Sequence, residues 1–404
     1  MIEKSAMKTI MILGAGILQL PAIQKAKELG LNVVAVDMNP DAIGFKEKGI
    51  TKEVISTIDI PAVVEAAKRN KVDGVMTLAS DMPMRSVAAV AKELGVVGIT
   101  GDTALKATNK AAMRKALAEH AVPIPLFFKV SNIEEYLEAV KHFTNPFIVK
   151  PADNSGSRGI FLVEKLDDLD TINYAYTYSR KYSRGGDVVV EEYMRGHEVS
   201  VETLSLNGKC SVIQITDKLT TGAPHFVEMG HSQPTQFGDE IVRQIKQVAI
   251  AANKAVGITE GPSHTEIIVT SEGPKVVEIG ARLGGDCITT HLVPLSTGVD
   301  MVECCIHISL GEKPDIVPKF NKGAAIRYFN QTAGVVRSIE GITNAEQVEG
   351  VQQISIVHGA GESITKVTDS ASRMGFVIAQ GADATQAVNI CEQALSQIHI
   401  TYEA

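Results

Sequence analysis

The segment GPSHTEIIVTSEGPKVVEIGAR, residues 261–282, brings two carboxylates together. Two apolar runs flank a Ser-Glu-Gly-Pro turn. A three-residue loop at 271–273 pairs Glu266 with Glu278 and His264 with Gly280. Alternation then puts these four on one face and Thr265, Ile267, Val277 and Ile279 on the other. Opposed side chains lie about 5 Å apart, where like charges repel. Either the face is solvated and the carboxylates splay, or a divalent cation lies between them. Hard oxygen donors suit Mg²⁺, or Mn²⁺ in its place, holding nucleotide phosphates.

Two further segments carry related chemistry. In IVKPADNSGSRGIFLV a buried strand delivers Lys150 and Pro151 ends it. The small residues Asn154, Ser155, Gly156, Ser157 and Gly159 let backbone N–H groups approach a phosphate chain, and Lys150 and Arg158 add charge. No G-K-[ST] is present and a strand follows, so this is not a Walker A loop. Alone it reads equally as a flexible turn. In VVVEEYMRGHEVSVETL the apolar run ends at Glu191-Glu192, followed by Tyr193-Met194. An apolar slot beside backbone donors and acceptors suits an adenine, and Glu198 suits ribose hydroxyls. By itself the segment reads better as an ordinary hairpin with solvent-facing glutamates.

The elements that must hold these groups follow from periodicity. Over residues 7–99, KTIMIL, NVVAVD and DGVMTL read as buried parallel strands. LPAIQKAKELG, IPAVVEAAKRN and MRSVAAVAKELG read as amphipathic helices between them. A doubly wound, Rossmann-like sheet results. A helix carrying Lys110 follows, and VPIP breaks it. Strands FFKV, FIVKP, GIFLVE and DVVVEEYM with two helices form a unit at about 126–193. Antiparallel strands, a long helix and the hairpin complete a region at 101–315. Residues 316–404 read as a small α+β unit.

The 404 residues carry a net charge of −8, 45% hydrophobic and 21% charged residues, a soluble globular balance with no basic stripe for nucleic acid. Five irregularly spaced cysteines fit reduced thiols, with Cys304-Cys305 packed in a helix. The polar start and the lack of a ~20-residue apolar run point to a cytoplasmic protein without a membrane partner. MILGAGILQLP resembles a dinucleotide fingerprint, but Gln19 stands where the third glycine belongs, and no hydride-transfer site follows.

Taken in order, Lys110, Lys150, the Ser-Gly loop, Glu191 to Met194, Glu198, Glu266 and Glu278-Ile-Gly-Ala-Arg282 resemble the ATP-grasp superfamily of carboxylate–amine ligases, over residues 7 to about 400. The resemblance implies that Lys110 and Lys150 hold ATP phosphates under the loop 154–159. It implies that Glu191, Glu192, Tyr193 and Met194 line the adenine slot and that Glu198 binds ribose. Glu266 and Glu278 would hold Mg²⁺, Arg282 and Lys150 would be catalytic, with Arg282 steadying the acyl phosphate, and the unit at 126–193 would be a lid. Many relatives carry Asn where this chain has Gly280, so a third ligand falls to water or phosphate oxygen.

TDKLTTGAPHFVEMGHSQPTQ and ARLGGDCITTHLVPLSTGVD resemble the L-amino-acid ligase branch. That likeness implies substrate contacts from Glu228 and His231, with a polar loop as the plainer reading; Gly284 and Gly285 let the backbone approach substrate, or make a simple turn. Lys218 is placed in the same pocket, and Asp81 reads as a helix N-cap. The implied reaction makes an acyl phosphate that an amine attacks. A purine-pathway or carbamoyl-phosphate-synthase-like enzyme, a nucleotide-binding sensor and a dehydrogenase are the competing readings. The resemblance also implies small-molecule partners and a homodimer.

Overall fold

The computed structural model describes residues 7–154, 156, 158–223 and 225–403. The apolar runs near the N-terminus form a parallel sheet in the order Thr51–Glu53, Asn32–Val36, Thr9–Leu13, Gly74–Met76. The edge strand Thr51–Glu53 is too short and polar to show in the sequence. Helices Leu20–Glu28, Ile60–Arg69 and Met84–Leu94 connect and cover the strands. Gly14, at φ +103°, makes the tight turn out of the first strand. Gln19 folds back over it so closely that a Cβ on Gly14 would lie 2.8 Å from the Gln19 side chain. Gln19 also donates to Ser80 Oγ at 3.0 Å, while Asp37 accepts from the Ala15 N–H at 2.8 Å. The protein's own groups thus occupy the phosphate side of the fingerprint, and Leu18 of this loop borders the main cavity.

The lid is an antiparallel sheet, Phe127–Val130, Val188–Glu192, Phe147–Pro151, Phe161–Val163. Helices Ile133–Val140 and Leu169–Tyr182 accompany it, capped by Asn132 and Asp168 side chains. Its core, including Tyr136, Phe147, Ile172 and Val190, is drawn from the lid alone.

An eight-stranded antiparallel sheet forms the centre. Its order is Gly273–Gly280, Gly261–Thr270, His197–Leu206, Lys209–Thr220, Glu228–Gln233, Gly323–Tyr328, Gly375–Gly381, Val351–Ile356. Helix Asp239–Val256 packs its apolar stripe, including Ile245, Ala249 and Ala252, into the core beneath it. The C-terminal unit therefore continues the central sheet, through Gly230–Gln233 paired with Ala324–Arg327. A smaller sheet of Ser363–Ile364, Gly334–Glu340 and His399–Tyr402 completes that unit. The N-terminal sheet is joined to the centre by a shared core in which Ile10 and Ile12 meet Ile306 and Ile308. No single described helix is long and apolar enough to cross a membrane. The apolar helical segments Ile288–Thr297 and Met301–Ser309 are bent by 112° and contribute to this core.

Candidate active site

The hairpin places Glu266 opposite Glu278, but by another route than a three-residue loop. Thr270 pairs with Gly273, so the turn is Ser271-Glu272. The ladder then slips by one residue at Val277, which restores the pairing at Glu266–Glu278 and His264–Gly280. Val277, assigned by alternation to the opposite face, instead borders the cavity. Such a bulge leaves ladder groups unpaired. Here the carbonyls of Val276 and Val277 accept from Arg114 at 3.0 and 2.7 Å.

A cavity of about 340 Å³ gathers Lys110, Lys150, Arg282, Glu266, Glu278, Glu228 and His231. Each opposed carboxylate has its own cation. Lys110 Nζ lies 3.1 Å from Glu278 and donates to the Asn154 carbonyl at 2.7 Å. Lys218 Nζ lies 3.0 Å from Glu266, 3.6 Å from Glu228, and is hydrogen-bonded to Glu198. Burial opposes the Lys218 charge, but Glu266, Glu198 and Glu228 outweigh it and hold its pKa well above the usual value. Burial likewise opposes the Glu266 charge, and Lys218 and His264 hold its pKa well below the carboxylate range.

Glu191, expected beside an adenine, is buried in an ion cluster. It takes a two-point contact from Arg114 at 2.6 and 3.0 Å and meets Lys150 at 2.6 Å. Burial raises its pKa, yet Arg114 and Lys150 win and bring it to about 2. Its geometry therefore aims Lys150. Glu192 and Tyr193 donate their backbone N–H groups to the Leu126 and Pro146 carbonyls at 2.9 and 3.0 Å, and Met194 is buried. Gly156 borders the cavity. Gly159 lies against Tyr182, where a Cβ would come within 2.6 Å, so it serves loop packing. Ser155 and Ser157 lie outside the described residues.

Arg282 Nε donates to Asp81 Oδ1 at 2.7 Å. Asp81 is therefore not the N-cap expected for helix Met84–Leu94, which starts at Pro83 without a side-chain cap. Gly284 also departs from expectation. Its N–H lies 3.3 Å from Glu202 Oε2, and a Cβ there would come within 2.7 Å of His264 Nδ1. The missing side chain admits the Glu202–His264 pair, 2.6 Å apart. Burial lowers the His264 pKa, but Glu202 outweighs it and lifts the value to about 9. Gly285 does border the cavity.

Glu228 and His231 lie on strand Glu228–Gln233, as Gly230 and Pro234 predict in place of a helix. Three residues apart on a regular strand they would face opposite ways. The register slips between Leu219–Gly230 and Thr220–Glu228, leaving Met229 as an extra residue, and both border the cavity. His231 Nε2 lies 3.3 Å from Asp286, which is held by Arg373 of the C-terminal unit. The sequence reading misses Arg114, Glu202, His264, Asp286 and Arg373 as site-building residues. Two of them had a local sign: Arg114 follows Lys110 by four residues on the same helix face, and His264 shares the strand face of Glu266.

Family comparison finds an ATP-grasp domain at residues 143–290. The chain thus carries an ATP-grasp domain. Residues 327–403 match the L-amino acid ligase C-terminal domain 2. The L-arginine-specific L-amino acid ligase of Bacillus subtilis is 24% identical over 312 residues, 76% of this ATP-grasp chain and 74% of its own length. A phosphoribosylamine–glycine ligase of Methanococcus vannielii is 24% identical over 93% of this chain and 89% of its own. Among solved structures, an L-amino acid ligase from Bacillus licheniformis matches with a TM-score of 0.84 at 22% identity, covering 98% of this chain and 99% of that one. The expected fold class is thereby found, and the relatives compared are ligases.

Proposed function

We propose that this ligase activates an amino-acid carboxylate with ATP and joins it to the amine of a second amino acid, forming ADP and phosphate. The observation that carries the reading is the meeting, in one cavity, of a cationic end at Lys110, Lys150 and Arg282 with an acceptor end at Glu228 and His231. The match of residues 327–403 supports an amino acid as substrate.

Lys110 and Lys150 receive the ATP phosphates under the loop 154–159. Adenine is assigned to the segment 192–194 and ribose to Glu198, which must then share Lys218. Glu266 and Glu278 suit Mg²⁺: they are opposed hard donors in the cavity that also holds the phosphate-seeking cations Lys110, Lys150 and Arg282. Among the described residues no third His, Cys, Asp or Glu joins them in a metal cluster, so a phosphate oxygen or water would supply the further ligand. Bound there, Mg²⁺ would offset phosphate charge.

A substrate carboxylate oxygen attacks the γ-phosphorus, the bond to the β-phosphate oxygen breaks, and ADP leaves. Arg282, held by Asp81, faces the resulting acyl phosphate. The amine attacks its carbonyl carbon, phosphate departs, and the nitrogen loses a proton. The lid excludes water, which would otherwise hydrolyse the intermediate. A cytoplasmic homodimer is part of the proposal; the five unpaired thiols support a reducing compartment.

The long match to a phosphoribosylamine–glycine ligase favours, as a second reading, a ribonucleotide amine as acceptor. Phosphate release with ATP and Mg²⁺ separates the two. It is measured with amino acids singly and in pairs, with bicarbonate, and with phosphoribosylamine plus glycine. Release that needs amino-acid pairs supports the first reading, and release with bicarbonate alone overturns it. Glu278→Gln is expected to lower turnover on the order of 100-fold or more. Near-normal turnover would remove the metal assignment.

A further inference from the structure

Asp286 and the following Cys287 both have positive φ, +50° and +62°. Two successive non-glycine residues adopt this conformation only where their surroundings hold them there. The holder is Arg373, 87 residues away. Its two terminal nitrogens each lie 2.8 Å from an Asp286 oxygen. Its Nη1 also donates to the Glu228 carbonyl at 2.9 Å and its Nε to the Ser370 carbonyl at 3.0 Å. The guanidinium sits 3.8 Å over the Tyr328 ring. A planar fork so engaged from several sides has one orientation.

Asp286 Oδ2 also meets His231 Nε2, at 3.3 Å. A carboxylate only accepts, so the proton belongs on Nε2, and in a neutral ring Nδ1 is then a lone-pair acceptor. His231 is 2% exposed and borders the cavity, and among the described residues its Nδ1 has no hydrogen-bond partner. Buried polar atoms are normally paired, so an orphan acceptor at a cavity wall points to a donor brought by a ligand. The Met229 bulge turns the Glu228 carboxylate toward the same cavity. Two acceptors on one wall recognise N–H donors, as an amino group supplies.

We infer that Arg373, acting through Asp286, holds His231 as a lone-pair acceptor for an N–H of the substrate amino group, so that the C-terminal unit sets substrate binding in the cavity. Arg373 and Asp286 are positioning residues; His231 is the contact. The inference rests on the amino-acid ligase reading, and its test has two arms.

Long-range ¹H–¹⁵N correlation of the whole protein, with His231→Gln identifying the signal, reads the ring's protonation directly. A neutral ring protonated on Nε2 is expected. A proton on Nδ1, or an imidazolium, overturns the inference. In the kinetic arm, Asp286→Asn is expected to raise the amino-acid KM about tenfold or more, as for one lost charge-assisted contact. Mg-ATP binding should stay within about twofold. Arg373→Lys, which keeps charge without the fork, should shift KM in the same direction. An unchanged amino-acid KM in both variants overturns the inference. A wild-type protein that no amino acid stimulates refutes the ligase reading instead, and the tautomer arm still decides the state of His231.

Discussion

Gly280 and Asp81 settle the placement of Arg282 between them. A Cβ at position 280 would lie 3.0 Å from Asp81 Oδ1 and 3.2 Å from Arg282 Nε, tighter than most real contacts. The bare backbone is what lets a carboxylate from the N-terminal sheet reach the arginine. Burial lowers the Arg282 pKa, but Asp81 leads the carboxylates that outweigh it and raise it. Asp81→Asn keeps the shape and removes the charge. It should lower kcat about tenfold while leaving the KM for ATP near its original value, because Arg282 is assigned to the acyl phosphate. Steady-state kinetics checks this; an unaltered kcat would mean that the pair only joins two structural units.

Both pairs of facing groups at the site depend on an irregular strand. Val277 is the extra residue that keeps Glu266 opposite Glu278, and Met229 is the one that sets Glu228 and His231 on one wall. A two-residue turn plus a bulge predicts the same Glu266 partner as a three-residue loop with a regular ladder. The carboxylate pair was therefore legible although the path to it was not. Local patterns also displayed the strand–helix alternation of residues 7–99 and the lid elements, whose apolar runs and stops are short-range. They could not show which of Glu191 and Glu192 is buried, because the deciding partner, Arg114, stands 77 residues away. Helix Lys110–Glu119 carries Arg114 into contact with both the lid strand and the bulge carbonyls. Glu191→Gln leaves Arg114 and Lys150 without their carboxylate and should destabilise the protein by about 3–5 kcal/mol in urea unfolding at neutral pH. The pH dependence has a definite sign. The Glu191 pKa is depressed from 4.5 to about 2, so its contribution is full above 4.5 and is lost as pH falls toward 2. The variant's stability should fall less steeply over that window; equal slopes would show that Glu191 is not ionised in the cluster.

At the scale of the whole molecule, two kinds of junction coexist. The N-terminal sheet, the centre and the C-terminal unit share cores, and one eight-stranded sheet runs through the last two. The lid keeps a core of its own, built from residues 130–190, and meets the rest largely through polar contacts such as Arg114–Glu191 and Lys110 with the Asn154 carbonyl. Cooperative units follow shared cores, and an element with a separate core opens at lower free energy than the global unfolding. Amides of Phe147–Pro151 and Val188–Glu192 should therefore exchange by a sub-global opening. Those of Thr9–Leu13 and Gly323–Tyr328 should wait for unfolding of the whole remainder. On the proposed reading, nucleotide bound between lid and centre stabilises the closed lid. Mg-ATP at 100 times its Kd should thus raise lid protection by up to about 2.7 kcal/mol. Hydrogen exchange followed by mass spectrometry reads both effects. Equal exchange of the lid and the central strands, or lid protection unmoved by Mg-ATP, would refute a lid that closes as a unit on the phosphates.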